Sequence, residues 1–282
     1  MKYIRLKESD FSPLDDWIKK SNEILDELKK ETDTQKRRVL IKKNCKHWRN
    51  KELISFLKDL SDGKCWYTEA RFTAEYPQVE HFRPKSYARD ENWDRVHEGY
   101  WWLAFDVDNY RLSKPMPNYR KGTYFPLKQR KRSVDEPGDA LSVEKPFLID
   151  PTEESDVDLI GYNSLGCPEL VKNPIIDLNE WDKMRVNFSI ERYGLNEKDL
   201  CDLRKALWIS ITSQFEEYMT NALKGHKQGC VKSSGKAEQI RVQLLSYLDP
   251  KNEFTKLIRN CFQAHKVGKF LLDNCTECRT AA

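Results

Sequence analysis

The sequence predicts an α+β protein, mostly helical, in which a short strand-bearing stretch is flanked by helical segments on both sides. Two observations carry this expectation. Apolar residues recur at helical spacing up to about residue 60 and again beyond about residue 197. Between 64 and 127 the texture changes to short apolar and aromatic runs broken by Pro, Gly and Asn, as strands and long loops require. The expected division is 1–63 as an N-terminal helical segment, 64–127 as a compact finger, 128–178 as connector and loops, and 179–282 as a C-terminal helical domain.

Each element has its own signal. Ser12-Pro13-Leu14-Asp15 combines a capping residue, a proline at the first helical position and an acid at the third, so a helix begins there. Leu14, Trp17, Ile18, Leu25 and Leu28 then supply one buried stripe. A second helical stretch covers about 35–60, with Asn50 placed to interrupt and recap it and Gly63 to end it. The polar, basic stretch 128–145, with Pro137 and Gly138, reads as an exposed connector. Leu200, Leu203, Leu207, Ile211, Phe215 and Met219 predict one long helix over 197–223, followed by helices over 236–248 and 251–272.

Composition excludes several classes. Hydrophobic residues make up 39% and charged residues 33%, a globular balance without an extensive disordered tail. No apolar run approaches the roughly 20 residues of a membrane helix, and residues 1–7 lack a signal-peptide core, so no membrane association and a cytoplasmic location are expected. Eight cysteines then read as reduced thiols, with Cys275 and Cys278 an incidental pair. A net charge of +4 leaves any nucleic-acid contact to local clusters. The basic runs Lys36-Arg37-Arg38, Lys42-Lys43 and 128–132 read first as solvated faces.

The chemistry-bearing stretch is Gln78-Val79-Glu80-His81-Phe82-Arg83-Pro84-Lys85-Ser86, followed by Tyr100-Trp101-Trp102-Leu103-Ala104-Phe105-Asp106, Asn109-Tyr110-Arg111-Leu112-Ser113 and Asn118-Tyr119-Arg120-Lys121-Gly122. A histidine titrating near 6.5 can take a proton from water at neutral pH. An amide such as Asn109, with donors and an acceptor, can tie two backbone segments together. Arg83, Lys85, Arg120 and Lys121 lie beside these residues as candidate phosphate contacts. Tyr100, Trp101, Trp102 and Phe105 read as core rather than as base-stacking platforms.

In this order the segments resemble the HNH, or His-Me finger, nuclease family, and more narrowly the HNH subunit of Septu-type and retron-associated anti-phage systems. The resemblance implies a ββα-metal finger with His81 as general base, Asn109 as its geometric support, and Glu80 and Asn118 as ligands of one Mg²⁺ or Mn²⁺ ion. It further implies cleavage of invading DNA, or of RNA such as tRNA, and a partner ATPase of SMC or ABC type. Retron-linked versions add a reverse transcriptase with its msDNA. A binding subunit that keeps the finger only for docking is the alternative. Many members hold a structural zinc with two Cys-x-x-Cys pairs, which here would be Cys65 with Thr68 and Lys114 with Pro117. Only Cys65 is a thiol, so no zinc is expected there, and Trp66, Tyr67, Phe72, Tyr76 and Phe82 are expected to stabilise the finger by packing. Adjacent strand residues face opposite ways, so Glu80 and His81 share a site only if the strand ends or twists between them.

Overall fold

The computed structural model describes residues 1–7, 11–129, 133–171, 178–228 and 230–275. It is α+β and mostly helical, with small antiparallel sheets. The N-terminal helices are α1 (Asp15–Lys30), entered through a 3₁₀ turn at Ser12–Leu14, then α2 (Thr34–Lys43) and α3 (Lys51–Asp59). The chain breaks after α2 into a turn and a 3₁₀ segment, His47–Arg49. Asn50 then recaps it, its side chain accepting from the Glu52 N–H at 2.7 Å. Gly63, at φ 74°, takes the left-handed conformation beyond α3 at no steric cost.

Strand β1 (Gln78–His81) pairs antiparallel with the later β4 (Tyr110–Ser113). Between them lie β2 (Ala88–Arg89) and β3 (Arg95–His97), a second small pair, and two 3₁₀ turns. Helix α4 (Pro115–Lys121) follows β4 directly and packs back on β1. Gly99 (φ 96°) sits so close to Ser86 that an added Cβ would lie 2.5 Å from its carbonyl carbon, so only glycine lets this loop press against the residues after Pro84.

The 128–178 stretch is more than a connector. It carries α5 (Glu154–Val157) and the antiparallel pair β5 (Ile160–Tyr162) and β6 (Pro168–Leu170), and Leu148, Ile149 and Ile160 are fully buried. Residues 130–132 of the basic run lie outside the described residues. Helices α6 (Glu180–Arg192), α7 (Lys198–Gln228) and α8 (Val231–Ser246) follow. The expected last helix is two, α9 (Thr255–Ala264) and α10 (Lys266–Asp273), because His265 leaves the helical conformation at ψ 137° and caps the second by accepting from the Val267 N–H. Along α7, Ile211 and Phe215 are buried as expected, whereas Leu203 and Met219 face solvent.

Three apolar clusters hold these elements. The N-terminal helices pack Trp17, Trp48, Leu53 and Leu57 on Trp66, Tyr110 and Leu112. Phe82, Tyr100 and Phe125 join Leu148, Ile160, Val186 and Phe254 in a second. Ile211, Phe215, Leu244 and Phe262 form the third, between α7, α8 and α9. Tyr100, Trp102 and Phe105 are core, as their spacing predicted, while Trp101 is half-buried beneath the Arg37 guanidinium. Trp66, Tyr67 and Phe82 are buried, but Tyr76 is 90% exposed and does not stabilise this region by packing. No helix among the described residues is long and apolar enough to cross a membrane. Cys45, Cys65, Cys167, Cys201, Cys230 and Cys261 are free thiols as expected, whereas Cys275 is disulfide-bonded, and Cys278, the other member of the Cys-x-x-Cys pair, lies outside the described residues.

Candidate active site

Side chains alternate across β1 and β4, and the register decides which candidates meet. Val79 opposes Leu112, Glu80 opposes Arg111 and His81 opposes Tyr110 without a bulge, and the ladder continues as the Phe82 N–H donates to the Asn109 carbonyl at 2.9 Å. The strand therefore stays regular through Glu80-His81, and the two side chains take opposite faces.

His81 lies on the face of Tyr110, with the Trp48 and Tyr110 rings edge-on at 5.1 and 5.0 Å between centroids. Its Nε2 is 3.0 Å from the Ala104 carbonyl oxygen, which can only accept, so Nε2 carries the proton and Nδ1 the lone pair. The Tyr110 hydroxyl donates to the same carbonyl at 2.9 Å. The Lys85 ammonium donates to Nδ1 at 3.4 Å. Burial, reinforced by Lys85, holds the imidazole well below its ordinary pKa and hence neutral at physiological pH. Burial also brings Lys85 down to about 8.

Asn109 is buried and spends its amide on the backbone around His81. Its Oδ1 accepts from the Arg83 N–H at 2.8 Å, and its Nδ2 donates to the Arg83 and Leu103 carbonyls at 2.9 and 3.1 Å. It thereby clamps the chain leaving β1 to the loop that carries Ala104. Asn118, on α4, donates to Gln78 Oε1 at 2.6 Å.

A cavity of about 600 Å³ is lined by all four residues of β1, by Asn118 and Lys85, and by Trp48 and Arg49. It follows β1 along the edge that β4 leaves unpaired, so His81 reaches it from one face of the strand and α4 from the other.

Glu80 is placed differently from the metal ligand that the resemblance implied. It is 2% exposed, its Oε2 accepts from the Tyr67 hydroxyl at 2.6 Å, and its Oε1 pairs with Lys121 Nζ at 2.6 Å. Lys121, also fully buried, donates to the His81 carbonyl at 2.9 Å as well. It is a core cation with no access to phosphate, its pKa lowered by burial against the opposing pull of Glu80. Arg83 pairs with Glu144 at 2.8 Å, and Arg120 with Glu197 at 2.5 Å, both outside the cavity lining. Of the four expected phosphate contacts, only Lys85 faces the cavity.

The neutral donors among the side chains lining the cavity are therefore the imidazole of His81, the amides of Asn118 and Gln78, and the hydroxyls of Tyr76, Ser86 and Thr123. No carboxylate other than the engaged Glu80 lines it among the described residues. Hard divalent ions favour anionic oxygen ligands, so this donor set does not fit an Mg²⁺ or Mn²⁺ site as it stands. Trp48, Arg49 and Gln78 went unforeseen, since their roles follow from the fold-back of the 47–49 turn on β1, and Arg49 belongs to none of the basic runs singled out in the sequence. Where zinc pairs would sit in the resembled family, the Lys114 N–H donates to Cys65 Sγ at 3.4 Å, so those two turns do come together. No protein-family model matches the chain, and no curated protein matches it.

Proposed function

We propose that the chain is an HNH-type endonuclease hydrolysing phosphodiester bonds of invading nucleic acid, with DNA as the principal target, as effector of a Septu-type or retron-type defence complex. One observation carries the reading: a neutral histidine at the end of an antiparallel strand pair, its Nε2 fixed by a backbone carbonyl, lines the same cavity as Asn118 of the helix that follows. In this reading His81 Nδ1 takes a proton from water as the water oxygen bonds to phosphorus. The bond to the leaving oxygen breaks, and that oxygen is protonated by solvent. Lys85 offsets charge on the non-bridging oxygens. Asn109, by tying the Arg83 and Leu103 backbones together, holds the neighbouring His81 and Ala104 segments at the spacing this requires. A partner ATPase of SMC or ABC type, and in retron-type systems a reverse transcriptase with its msDNA, belong to the same proposal.

Glu80 would reach an Mg²⁺ or Mn²⁺ ion only after giving up Lys121. Its sequestration favours a second reading, a docking module that binds nucleic acid without cutting it. Labelled DNA and RNA incubated with Mg²⁺ or Mn²⁺ separate the two. Catalysis predicts cleavage that falls about 100-fold or more in His81→Ala, and the polymer that is cut identifies the target. Intact DNA and RNA with both proteins, together with no calorimetric heat on adding the metal, would leave docking as the function.

A further inference from the structure

The phosphate contacts foreseen beside the motif are largely spent: Arg83, Arg120 and Lys121 all have carboxylate partners. The unpaired positive charge lies elsewhere. Residues 34–51 contain eight Lys and Arg and no Asp or Glu, in a chain with 45 acids. Arg37 and Arg38 are held by the fold, the first over the Trp101 ring and the second on Glu98 and the Ser86 carbonyl. Lys42, Lys43, Lys46 and Arg49 are exposed, and among the described residues no carboxylate lies within 4.0 Å of any of them. These four follow one another from the C-terminal turn of α2 through the 44–46 turn to the wall of the His81 cavity, which Arg49 lines. A smaller cavity along α2 shares Lys85 and Ser86 with the first, so the two adjoin at these residues. Of its three acidic residues, Glu98 and Asp135 are paired, with Arg38 and His97, and Glu136 is exposed. The C-terminal end of a helix carries partial negative charge and attracts cations, but four unpaired cations exceed what that end needs.

We infer that Lys42, Lys43, Lys46 and Arg49 form a track for the phosphodiester backbone of a nucleic-acid strand, feeding it into the His81 cavity from the α2 side. The track rests on the reading of that cavity as a phosphodiester site, and it assigns substrate holding to the N-terminal segment instead of the α4 cations. Contact is to phosphates, so affinity is insensitive to base sequence and falls steeply with salt.

Binding, not turnover, tests it. A short fluorescein-labelled DNA duplex is titrated with full-length His81→Ala protein over a range of salt, and with the same protein carrying Lys42→Gln, Lys43→Gln, Lys46→Gln and Arg49→Gln together. A matched control replaces exposed Lys205, Lys232, Lys266 and Lys269 by Gln, removing equal charge from the C-terminal helices. The track predicts at least a tenfold loss of affinity at low salt for the first set. The slope of log affinity against log salt should flatten by about 3.6, near 0.9 for each of the four lost phosphate contacts. The control should keep most of its affinity and slope. Equal losses in both sets, or none in the first, overturn the track. Arg49→Gln alone, expected to flatten the slope by about 1, settles the matter if the fourfold variant fails to fold. Tight binding without any cleavage by wild type would sink the catalytic reading and leave the track standing.

Discussion

Lys85 donates to the nitrogen that accepts a proton in the proposed hydrolysis, so one ammonium would both oppose His81 as a base and offer a charge for phosphate. Replacing it separates the two effects. Lys85→Met should raise the His81 pKa toward its ordinary value, visible as a shift of the imidazole signals in an NMR titration, while weakening duplex binding. The wild type carries the same information in its pH profile. The groups facing Lys85 are Glu80, which raises its pKa, and Lys121, Arg49 and His81, with Cys45 nearby. With a folded pKa of about 8 against an ordinary 10.5, the ammonium discharges as pH rises past about 8, and anion affinity should fall there. Stability should change in the opposite sense. The unfolded chain keeps that proton up to about 10.5, so between the two values the unfolded state binds more protons and stability rises with pH. Fluorescence anisotropy and chemical denaturation across that window check both signs. Asn109 is the other decisive single side chain. Asn109→Ala strands one N–H and two carbonyls, and a loss of about 2–4 kcal/mol is expected in urea denaturation.

At the scale of the element, the pairing of β1 with β4 explains what sequence could and could not reveal. The helix start near Ser12 was legible from the proline in its first turn, although no side chain caps it, and the start at Asn50 because that cap is local chemistry, satisfied within one turn. The Asn109 clamp was legible because an amide beside a long loop has few other ways to use both ends. The faces of Glu80 and His81 were legible in principle from alternation, but the expected role for Glu80 needed the strand to stop, and the ladder runs on through Phe82. The partners of Arg83 and Arg120 are carboxylates far along the chain, and no local pattern encodes them. The buried pair behind β1 makes a prediction of its own. Lys121→Met leaves Glu80 charged and unpaired in the core and should cost about 3–5 kcal/mol, whereas Lys121→Met with Glu80→Leu should recover part of that loss. Thermal denaturation of both variants measures the difference. Recovery would identify Glu80 as a strut between strand and helix, and no recovery would point to a separate demand on its carboxylate.

Across the whole molecule, the site leans on residues remote in sequence. Arg204 of α7, fully buried, donates to the Thr68 and Leu195 carbonyls. Lys64 donates to the Pro250 and Asn252 carbonyls, Arg71 to that of Lys251, and the Thr255 hydroxyl to Glu69. The turns before β1 are thus tied to the segment joining α8 to α9, and buried side chains from Cys65 to Phe254 share one cluster. Stretches that composition divides into four are joined by these contacts, which periodicity cannot register because it reports only which face of an element is apolar. Calorimetric unfolding should accordingly show one transition, and removal of the chain from α7 onward should abolish it.

The hydrogen bonds around His81 also bear on how such a protein changes over generations. A glutamine there could still donate to the Ala104 carbonyl and accept from Lys85, so the surroundings would scarcely notice the exchange. Histidine and glutamine codons differ by a single nucleotide. One point mutation could therefore silence the proposed hydrolysis while sparing the shape, leaving an inert descendant to be selected for grip alone.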